Sequence, residues 1–447
     1  MQTLLNNDRS KVSLSAYLRL LRENRNFRRL WIAQIVSEIG DWFYTLAIYT
    51  LLLQLTGRAS SVGLALMLQV LPITFIAPSA GLVNDRISRK RVMIVADLTR
   101  FVIVVSMLLV RSASMVWLVY PLLLMETMMV AFFEPARNSV IPNITSREDV
   151  IVANTLSSTT WSVNLVLGAA LGGFVAALLG RDAVFVINGL SFLASAYFIG
   201  GMHFSEPHAD ASRWLRLRDL VDYTQMIEGF RYVRKHPRLR ATIFAKAGLF
   251  VIGPSWVLYT IMGERYFPVK WHDLSPQRGA MLGMSMLMAA RGVGAMLGPL
   301  AASPSAGDRE NRLRLWILVG YVADAIGYFG LGFARSVFAA CSWIVLAHSG
   351  GSVVWVFSTT LLQLSTEDRY RGRVFAADNA ISMLTIAVGA FLVSVFLDHG
   401  VSAKTLASAA GVSMLLPATL WAYWIWRNDV TKSSITRDEA GQIVPRV

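Results

Sequence analysis

The sequence predicts an all-α membrane protein with about twelve transmembrane helices, because apolar stretches of roughly 20 residues recur along the whole chain. Of its 447 residues, 55% are hydrophobic and only 16% are charged, and the mean hydropathy is +0.50. This composition excludes an ordinary soluble domain. The loops between the stretches also differ in charge, since those on one predicted side of the membrane hold most of the arginine and lysine.

The predicted spans follow the apolar runs, and each is long enough to cross a ~30 Å hydrocarbon layer as a helix or nearly so. They are residues 31–55, 62–82, 92–110, 115–133, 150–179, 183–202, 241–266, 279–302, 313–333, 337–361, 375–397 and 403–426. A charged segment with a short surface helix expected around 220–233 separates two halves of the chain. The predicted domains are a cytoplasmic segment 1–30, a helical bundle 31–202, a cytoplasmic loop 203–240, a second bundle 241–426 and a cytoplasmic tail 427–447.

The net charge of +14 would suit nucleic-acid binding if the cations formed one surface, but they are spread over alternate loops. Besides the basic central loop, the predicted inner loops contain Arg86, Arg89, Lys90, Arg91, Arg137, Arg147, Arg309, Arg312, Arg314, Arg369, Arg371 and Arg373. The predicted outer loops contain only Arg58, Arg111, Arg181, Lys270, Arg278, Arg335 and Lys404. We therefore expect both termini in the cytoplasm, no cleaved signal peptide and no nucleic-acid partner.

The loop between the second and third spans reads Gly81-Leu82-Val83-Asn84-Asp85-Arg86-Ile87-Ser88-Arg89-Lys90-Arg91. It resembles motif A of the major facilitator superfamily, with Gly81, Asp85, Arg86, Arg89 and Lys90 in register. Ser88 stands where that family usually has a second glycine. A loop that only oriented the protein would not need an aspartate four residues after a glycine. The resemblance implies two pseudo-symmetric six-helix bundles with a cavity between them.

Further resemblances extend over the whole chain. Gly168, Gly172 and Gly173 resemble motif C of the drug/proton antiporter branch, with Ala169 in place of the proline, although generic helix packing would also explain them. The chain also resembles the subgroup of enterobactin-exporter-like and macrolide-efflux-like proteins, through Ile39-Gly40-Asp41-Trp42, Leu71-Pro72, Asp97, Arg100 and Arg371-Gly372-Arg373. That resemblance implies export of a bulky, partly apolar small molecule from a bacterial cell.

Charged residues inside the spans are candidate functional groups, because each costs at least ~2.5–3.5 kcal/mol at the centre of a membrane. Glu38 and Asp41 lie three residues apart on one helical face, and Glu126 lies in the middle of the fourth span. These three acids are the candidates for proton coupling. The alternative is that they are structural, most simply with Asp41 permanently paired with Arg100, and Glu126 in a contact between helices.

The candidates for the substrate cavity are Arg100, Arg291, Asp324, Trp256 and Tyr259. Arg291 and Asp324 could instead neutralise each other or a nearby group. Lys246 is closer to the inner surface, where its long side chain could reach water, so we expect it to be structural. His348 could titrate, but a single histidine in the middle of a helix more often donates a hydrogen bond within the packed interior.

A gating role for the motif A loop is implied by the resemblance. Asp85 could accept hydrogen bonds from the amides at the start of the eleventh span, around Arg373, and interact with the positive end of that helix. Arg89 could pair with Glu134 at the inner end of the fourth span. These links would hold the two halves together in one state of the transporter and break in the other.

These observations predict a secondary transporter of the bacterial inner membrane that exports a drug-like or siderophore-like molecule by alternating access, in antiport with protons. We expect no enzyme activity, because no nucleophile elbow and no phosphate-binding loop occur, and we expect no metal and no cofactor. The expected partners are the cargo, protons and membrane lipid, and the expected state is a monomer. Alternatives are a lysophospholipid flippase or downhill facilitator of the same fold, and a non-transporting membrane sensor.

Overall fold

The structure is a computed structural model that describes residues 13–206, 223–270, 274–306, 309–433, 435–437 and 443–445. The remaining parts of the predicted N-terminal segment, central loop and C-terminal tail lie outside the described residues. Almost all of the described chain is helical, and the prediction of an all-α membrane protein is confirmed.

The helices of the N-terminal part follow one another with short connections. They are α1 Leu14–Glu23, α2 Arg25–Thr56, α3 Ala59–Arg86, α4 Arg89–Ser106, the 3₁₀ helices Met107–Leu109 and Ala113–Leu118, α5 Val119–Ile144, α6 Val150–Leu179 and α7 Arg181–Gly200. The side chain of Ser13 caps α1 and that of Asn24 caps α2. Helix α2 ends at Gly57, whose positive φ of 67° suits a residue without a side chain.

The C-terminal part begins with the surface helix that the sequence predicts. Its helices are α8 Thr224–Lys235, α9 Pro237–Ala247, α10 Ile252–Arg265, α11 Pro276–Ala306, α12 Glu310–Leu331, α13 Val337–Ser365, α14 Asp368–Asp398, α15 Ala403–Ser413 and α16 Leu415–Ser433. Two short antiparallel strands follow, β1 Ile435–Arg437 and β2 Ile443–Pro445, with Thr436 opposite Val444.

Eleven helical stretches of the described chain are long and apolar enough to cross a membrane. Helix α2, the first predicted span, is not among them although it has 32 residues, because polar groups such as Gln34, Glu38 and Asp41 interrupt its apolar sequence. The seventh and twelfth predicted spans each consist of two helices, α9 with α10 and α15 with α16. Pro254 and Pro417 each follow a break, since a proline near a helix start cannot donate to the preceding turn.

The described chain forms two compact units. The first comprises Met1–Gln225, Gly253–Gly292 and Ile386–Val401, and the second comprises Met226–Ile252, Val293–Thr385 and Ser402–Val447. Parts of α10, α11 and α14 therefore pack with the N-terminal helices in the first unit. The predicted bundle boundaries at residues 202 and 241 stay a prediction.

Helix α2 is at the centre of the first unit, where it packs against α6 and α7. Its second half is almost fully buried and includes Tyr44, Tyr49 and Ile48. Gly40 allows this contact, because a side chain at that position would collide with Asn188 and Ser191 of α7.

In the second unit, α12 and α13 pack against each other over a long contact. Gly320 and Gly327 on α12 and Gly350 on α13 leave no room for a side chain between the two backbones. Such glycine contacts let two membrane helices approach each other without a hydrophobic driving force between them.

Candidate transport site

Four charged side chains from α2, α4 and α5 meet in the first unit: Asp41, Asp97, Arg100 and Glu126, which we call the Arg100 cluster. The Arg100 Nη2 atom donates to both carboxyl oxygens of Asp41 at 2.7 Å and lies 3.4 Å from Glu126 Oε1. Its Nη1 atom lies 3.8 Å from Asp97 Oδ1. Three carboxyl groups thus face one guanidinium in a region of low dielectric, where charges interact strongly.

The members of the cluster differ in their access to solvent. The side chains of Asp97, Arg100 and Glu126 are 0%, 3% and 8% exposed, whereas that of Asp41 is 34% exposed. The ring of Phe192 on α7 lies 4.0 Å from the centre of the guanidinium. Asp41 is therefore the member of the cluster whose side chain has the most access to solvent.

Asp97 is the acid of this cluster whose oxygens are least well paired. Neither oxygen has a hydrogen-bond partner within the described part of the chain, and its ion pair with Arg100 is long, at 3.8 Å. In the sequence, Asp97 is recognised only as a mark of the subgroup and is missing from the candidate functional residues. The signal was an acid and a cation three residues apart in an apolar span, a spacing that places both on one helix face.

Glu38 lies in a separate group of polar side chains. Its Oε1 atom accepts from Arg137 Nη1 and from Gln34 Nε2, both at 2.9 Å, and its Oε2 atom accepts from Asn164 Nδ2 at 2.8 Å. Glu38 and Asp41 therefore have different cations as partners. Arg137, which sequence analysis assigns to an inner loop, is buried within α5 because it provides the charge that Glu38 needs.

Two of the predicted cavity residues, Trp256 and Arg291, lie together in the first unit. The indole of Trp256 stacks on that of Trp42, with ring centroids 5.7 Å apart and an angle of 4° between the planes. The guanidinium of Arg291 lies 4.2 Å from the Trp256 ring centroid. Tyr49 contacts the same indole edge-on and donates its hydroxyl to Gln69 Oε1 at 2.6 Å. We call Trp42, Tyr49, Trp256 and Arg291 the aromatic site.

The glycines of the motif C-like segment in α6 are points of close helix packing. Gly168 lies against the side chain of Trp42, and Gly172 lies against the backbone of Phe43. Gly173 faces Ser285 of α11, whose hydroxyl donates to the carbonyl of Ala169. These positions hold α2 and α11 against α6, and so they determine where the aromatic site lies.

The motif A loop forms a network of backbone contacts. Ser88 has a φ of −52°, so no glycine is needed there, and its hydroxyl caps α4 by accepting from Arg91 N. Arg89 donates to the carbonyl oxygens of Ser139 at 3.0 Å and of Asn84 at 3.2 Å. Lys90 donates to the carbonyl of Met202 at 2.6 Å.

The pairing of Arg89 with Glu134, which is expected in one state of the transporter, is not among the contacts of the described residues and stays a prediction. Glu134 instead pairs with Arg137 at 2.7 Å, because the two lie three residues apart on the same helix. Asp85 is 74% exposed and lies 3.8 Å from Arg89. In the second unit, the predicted gating partner Arg373 pairs with Glu228 of α8 at 3.0 Å.

The second unit contains its own buried ion pair, which sequence analysis does not predict. Lys246 donates to Asp378 Oδ2 at 2.6 Å and to Thr359 Oγ1 at 3.2 Å, and its ammonium lies 4.0 Å from the Trp355 ring centroid. The side chain of Lys246 is only 5% exposed. The expectation that it reaches water is therefore wrong, since Asp378 satisfies its charge inside the protein.

Three other residues singled out in the sequence are packed between helices. Tyr259 is fully buried in the first unit and so does not line an open wall in this structure. Asp324 is 3% exposed and lies next to Gly351 of α13. His348 shares a hydrogen bond of 3.2 Å with the hydroxyl of Tyr328, as expected for a packed histidine.

The fold and the charged groups inside its helices define a multi-pass membrane transporter of the major facilitator type. The chain belongs to the family described as transmembrane secretion effector, whose model matches residues 17–441. The fold resembles that of a bacterial homologue of the human lysosomal transporter Spinster, solved in an inward-facing and unoccupied conformation. That similarity covers 89% of this chain and 96% of the other, with a TM-score of 0.64 and 13% identity, and it shows the fold alone.

Relatives in bacteria include transporters named for efflux. The MFS-type transporter YfiS of Bacillus subtilis is 27% identical, over 83% of this chain and 86% of its own length. A protein named as a bacilysin exporter, BacE of Bacillus amyloliquefaciens, is 24% identical over 83% and 88% of the two chains. Macrolide efflux protein A of Streptococcus pyogenes is 24% identical, over 83% of this chain and 89% of its own length. This chain is thus a membrane transporter with efflux-type relatives.

Proposed function

We propose that this protein exports a small, partly apolar, drug-like or siderophore-like molecule across a bacterial inner membrane in exchange for protons. The observation that supports this proposal best is the Arg100 cluster, in which three carboxyl groups surround one cation. The efflux-type relatives support the direction of transport. Both termini of such an exporter would lie in the cytoplasm, in keeping with the charge of its loops.

The cluster can exchange protons because it has more acids than its one cation can neutralise. Arg100 makes its best contacts with Asp41, whereas Asp97 is buried with no hydrogen bond to either oxygen in the described chain and only a long ion pair with Arg100. A buried carboxylate without a partner is costly, and binding a proton removes that cost. Glu38, whose two oxygens accept three hydrogen bonds and pair with Arg137, has the partners of a structural acid.

The cargo would bind at the aromatic site. Trp42 and Trp256 are only partly buried and offer flat apolar surface, and Arg291 places a cation over one of the rings. This combination favours a cargo with a planar or apolar group and a nearby anionic or polar group. Asp41 and Trp42 are neighbours in α2, and they face the Arg100 cluster and the aromatic site respectively. A shift of α2 would thus link proton binding to cargo binding.

Two steps test the proposal. The first compares the metabolites in media from cells with and without the gene, which identifies the exported compound. The second measures uptake of that compound into everted membrane vesicles with and without a protonophore. Proton antiport predicts accumulation that collapses when the proton gradient is removed.

Other outcomes would favour the alternatives of the same fold. A downhill facilitator would equilibrate the compound without accumulating it, and the protonophore would have no effect. A flippase would change the distribution of lysophospholipid between the two leaflets instead of the composition of the medium. A membrane sensor would change neither the distribution of lysophospholipid nor the composition of the medium.

Replacing Trp256 with alanine is expected to weaken cargo binding by roughly tenfold, because a stacked aromatic contact is lost. Trp256→Phe keeps an aromatic face and should change the apparent Kd much less. Binding of the exported compound to purified protein, followed by tryptophan fluorescence or calorimetry, measures the effect. Trp117→Ala is the matched control, since Trp117 is 68% exposed and lies outside the aromatic site. Equal affinities for the Trp256→Ala variant and the parent would contradict this cargo site.

Replacing Asp85 with asparagine is expected to lower transport at least about tenfold, because the amide lacks the charge that interacts with a helix N-terminus. Expression and cargo binding should stay close to those of the parent, since Asp85 is exposed and lies outside the cargo site. Export rates and equilibrium binding measured on the same preparation separate the two effects. Glu23→Gln, which removes another exposed acid, serves as the control. Normal export by the Asp85→Asn variant would contradict the proposed gating role of Asp85.

A further inference from the structure

Helix α1 is too short to cross a membrane and lies at one end of the first unit. Its ten residues extend over about 15 Å. Arg19 on α1 pairs at 2.8 Å with Asp149, directly before α6. Asn24, between α1 and α2, donates at 2.6 Å to the carbonyl of Ile144, the last residue of α5. Asn26 exchanges hydrogen bonds with the backbone just after α7. Helix α1 therefore lies at a membrane surface, where α2 and α6 begin and α5 and α7 end.

The apolar side of α1 is wider than its contact with the protein. Taken in order around the helix axis, at about 100° per residue, its apolar residues are Ala16, Leu20, Tyr17, Leu21, Leu14 and Leu18. The first two are buried, and the next two pack half-buried against the same apolar cluster. The last two are 73% and 45% exposed within the described chain. At a membrane surface, lipid covers such an apolar edge.

The exposed edge of α1 leads to arginine. Arg22 follows Leu18 by four residues, so it continues the same side of the helix, and its side chain is exposed. Arg25, at the start of α2, is exposed as well. Residues 13–30 contain five arginines but only one acid, Glu23. Arginine binds phosphate oxygens well, and cations at a membrane surface attract anionic headgroups.

We propose that α1 is a binding surface for anionic phospholipid in the leaflet at this end of the first unit. Leu14 and Leu18 enter the layer where acyl chains meet headgroups. Arg22 and Arg25 bind the phosphate groups above it. The ion pair of Arg19 holds α1 in place, so the surface is formed before lipid arrives. A free phosphate would not cover the leucines, and the combination therefore favours lipid.

The first experiment locates the exposed edge relative to the membrane. A bimane fluorophore is attached by Leu18→Cys or by Glu23→Cys, in a chain whose own cysteine is removed by Cys341→Ala. Both positions are exposed, and they lie roughly 140° apart around the helix axis. In phosphatidylcholine vesicles, a lipid with a nitroxide near its headgroup should quench the fluorophore at residue 18, and iodide in the water should not. The fluorophore at residue 23 should show the reverse.

The second experiment measures the preference for lipid charge with the fluorophore at residue 18. Nitroxide-labelled phosphatidylglycerol should quench it more strongly than the same share of labelled phosphatidylcholine. Arg22→Gln should lower this preference by about fivefold, the factor expected for one surface cation, and Arg25→Gln should act similarly. Arg58→Gln is the matched control, since Arg58 is an exposed cation at the opposite end of α2.

Each contrary result overturns a stated part of the proposal. Equal quenching by iodide at residues 18 and 23 would place the leucine edge in water. A fluorophore at residue 18 that neither quencher reaches would mean that protein covers the edge. A preference for phosphatidylglycerol that is absent, or unchanged in both arginine variants, would overturn the recognition of anionic lipid. Neither cargo nor a pH gradient is present, so failure of the proton-antiport proposal would not affect these results.

Discussion

Replacing Asp97 with asparagine is expected to abolish proton-driven export while exchange of cargo across the membrane continues. Asparagine has nearly the shape of aspartate but cannot take up or release a proton. Asp97 is fully buried, and neither of its oxygens has a hydrogen-bond partner in the described part of the chain. Its replacement by a neutral amide therefore breaks no hydrogen bond seen in the structure, and the expected loss is one of coupling.

The measurement compares two kinds of transport in the same proteoliposomes. Accumulation of the exported compound against its gradient, driven by an imposed pH difference, should fall to the level of empty liposomes. Exchange of labelled for unlabelled compound at equal pH should stay within a few-fold of the parent, because cargo binding does not involve Asp97. The midpoint of thermal unfolding should be unchanged or higher, since an amide is less costly to bury than a carboxylate that accepts no hydrogen bond.

Glu264→Gln is the matched control for this prediction. Glu264, near the end of α10, also has a carboxyl oxygen without a partner in the described residues, but it lies outside the Arg100 cluster. Its variant should keep gradient-driven accumulation. Continued accumulation by the Asp97→Asn variant would mean that Asp97 is not the proton carrier, and Asp41 and Glu126 would be the remaining candidates in the cluster.

Replacing Arg100 with methionine is expected to destabilise the protein by about 3–5 kcal/mol and to abolish transport, because buried acids lose the cation that they share. Arg100 bonds both oxygens of Asp41 and lies within 4 Å of Asp97 and Glu126. Arg100→Lys keeps the charge but cannot reproduce the fork of the guanidinium. That variant should therefore lie between the parent and Arg100→Met in stability.

Thermal unfolding of the purified variants measures this effect, and a double variant identifies its cause. Adding Asp97→Asn to Arg100→Met removes one of the acids left without a cation, so it should recover part of the lost stability, and the two changes should not be additive. Arg111→Met is the control, since its ion pair with Asp182 is half-exposed and such pairs contribute roughly 0–1 kcal/mol. Equal losses of stability in Arg111→Met and Arg100→Met would contradict a central role for the cluster.

The helices could be predicted from the sequence because their length and hydropathy are local properties. The clearest differences between the predicted spans and the observed helices also depend on local sequence. The apolar sequence of α2 contains polar residues that have partners inside the protein, although the helix is continuous. Two predicted spans are broken before Pro254 and Pro417. In each case the apolar stretch of sequence is continuous enough to be predicted as one span. The difference between that span and the observed helix depends on a few residues within the stretch.

The candidate site could be predicted only in part, as Glu38 and Asp41 illustrate. Their spacing of three residues suggests one shared face, but it leaves the two side chains about 60° apart around the helix axis. That difference is enough for Glu38 to reach Arg137 on α5 while Asp41 reaches Arg100 on α4. Which cation pairs with which acid depends on how the neighbouring helices are rotated, and the spacing does not contain that information.

By itself, the sequence determined the fold class, the family and the residues that are expensive to place in a membrane, because these follow from composition, hydropathy and local motifs. Only the tertiary structure decided the partners: Lys246 with Asp378, Trp42 with Trp256, and Asp398 with the start of α3. These residues are far apart along the chain. Their contacts arise where glycines and small side chains allow particular helices to approach, and that depends on the packing of the whole unit.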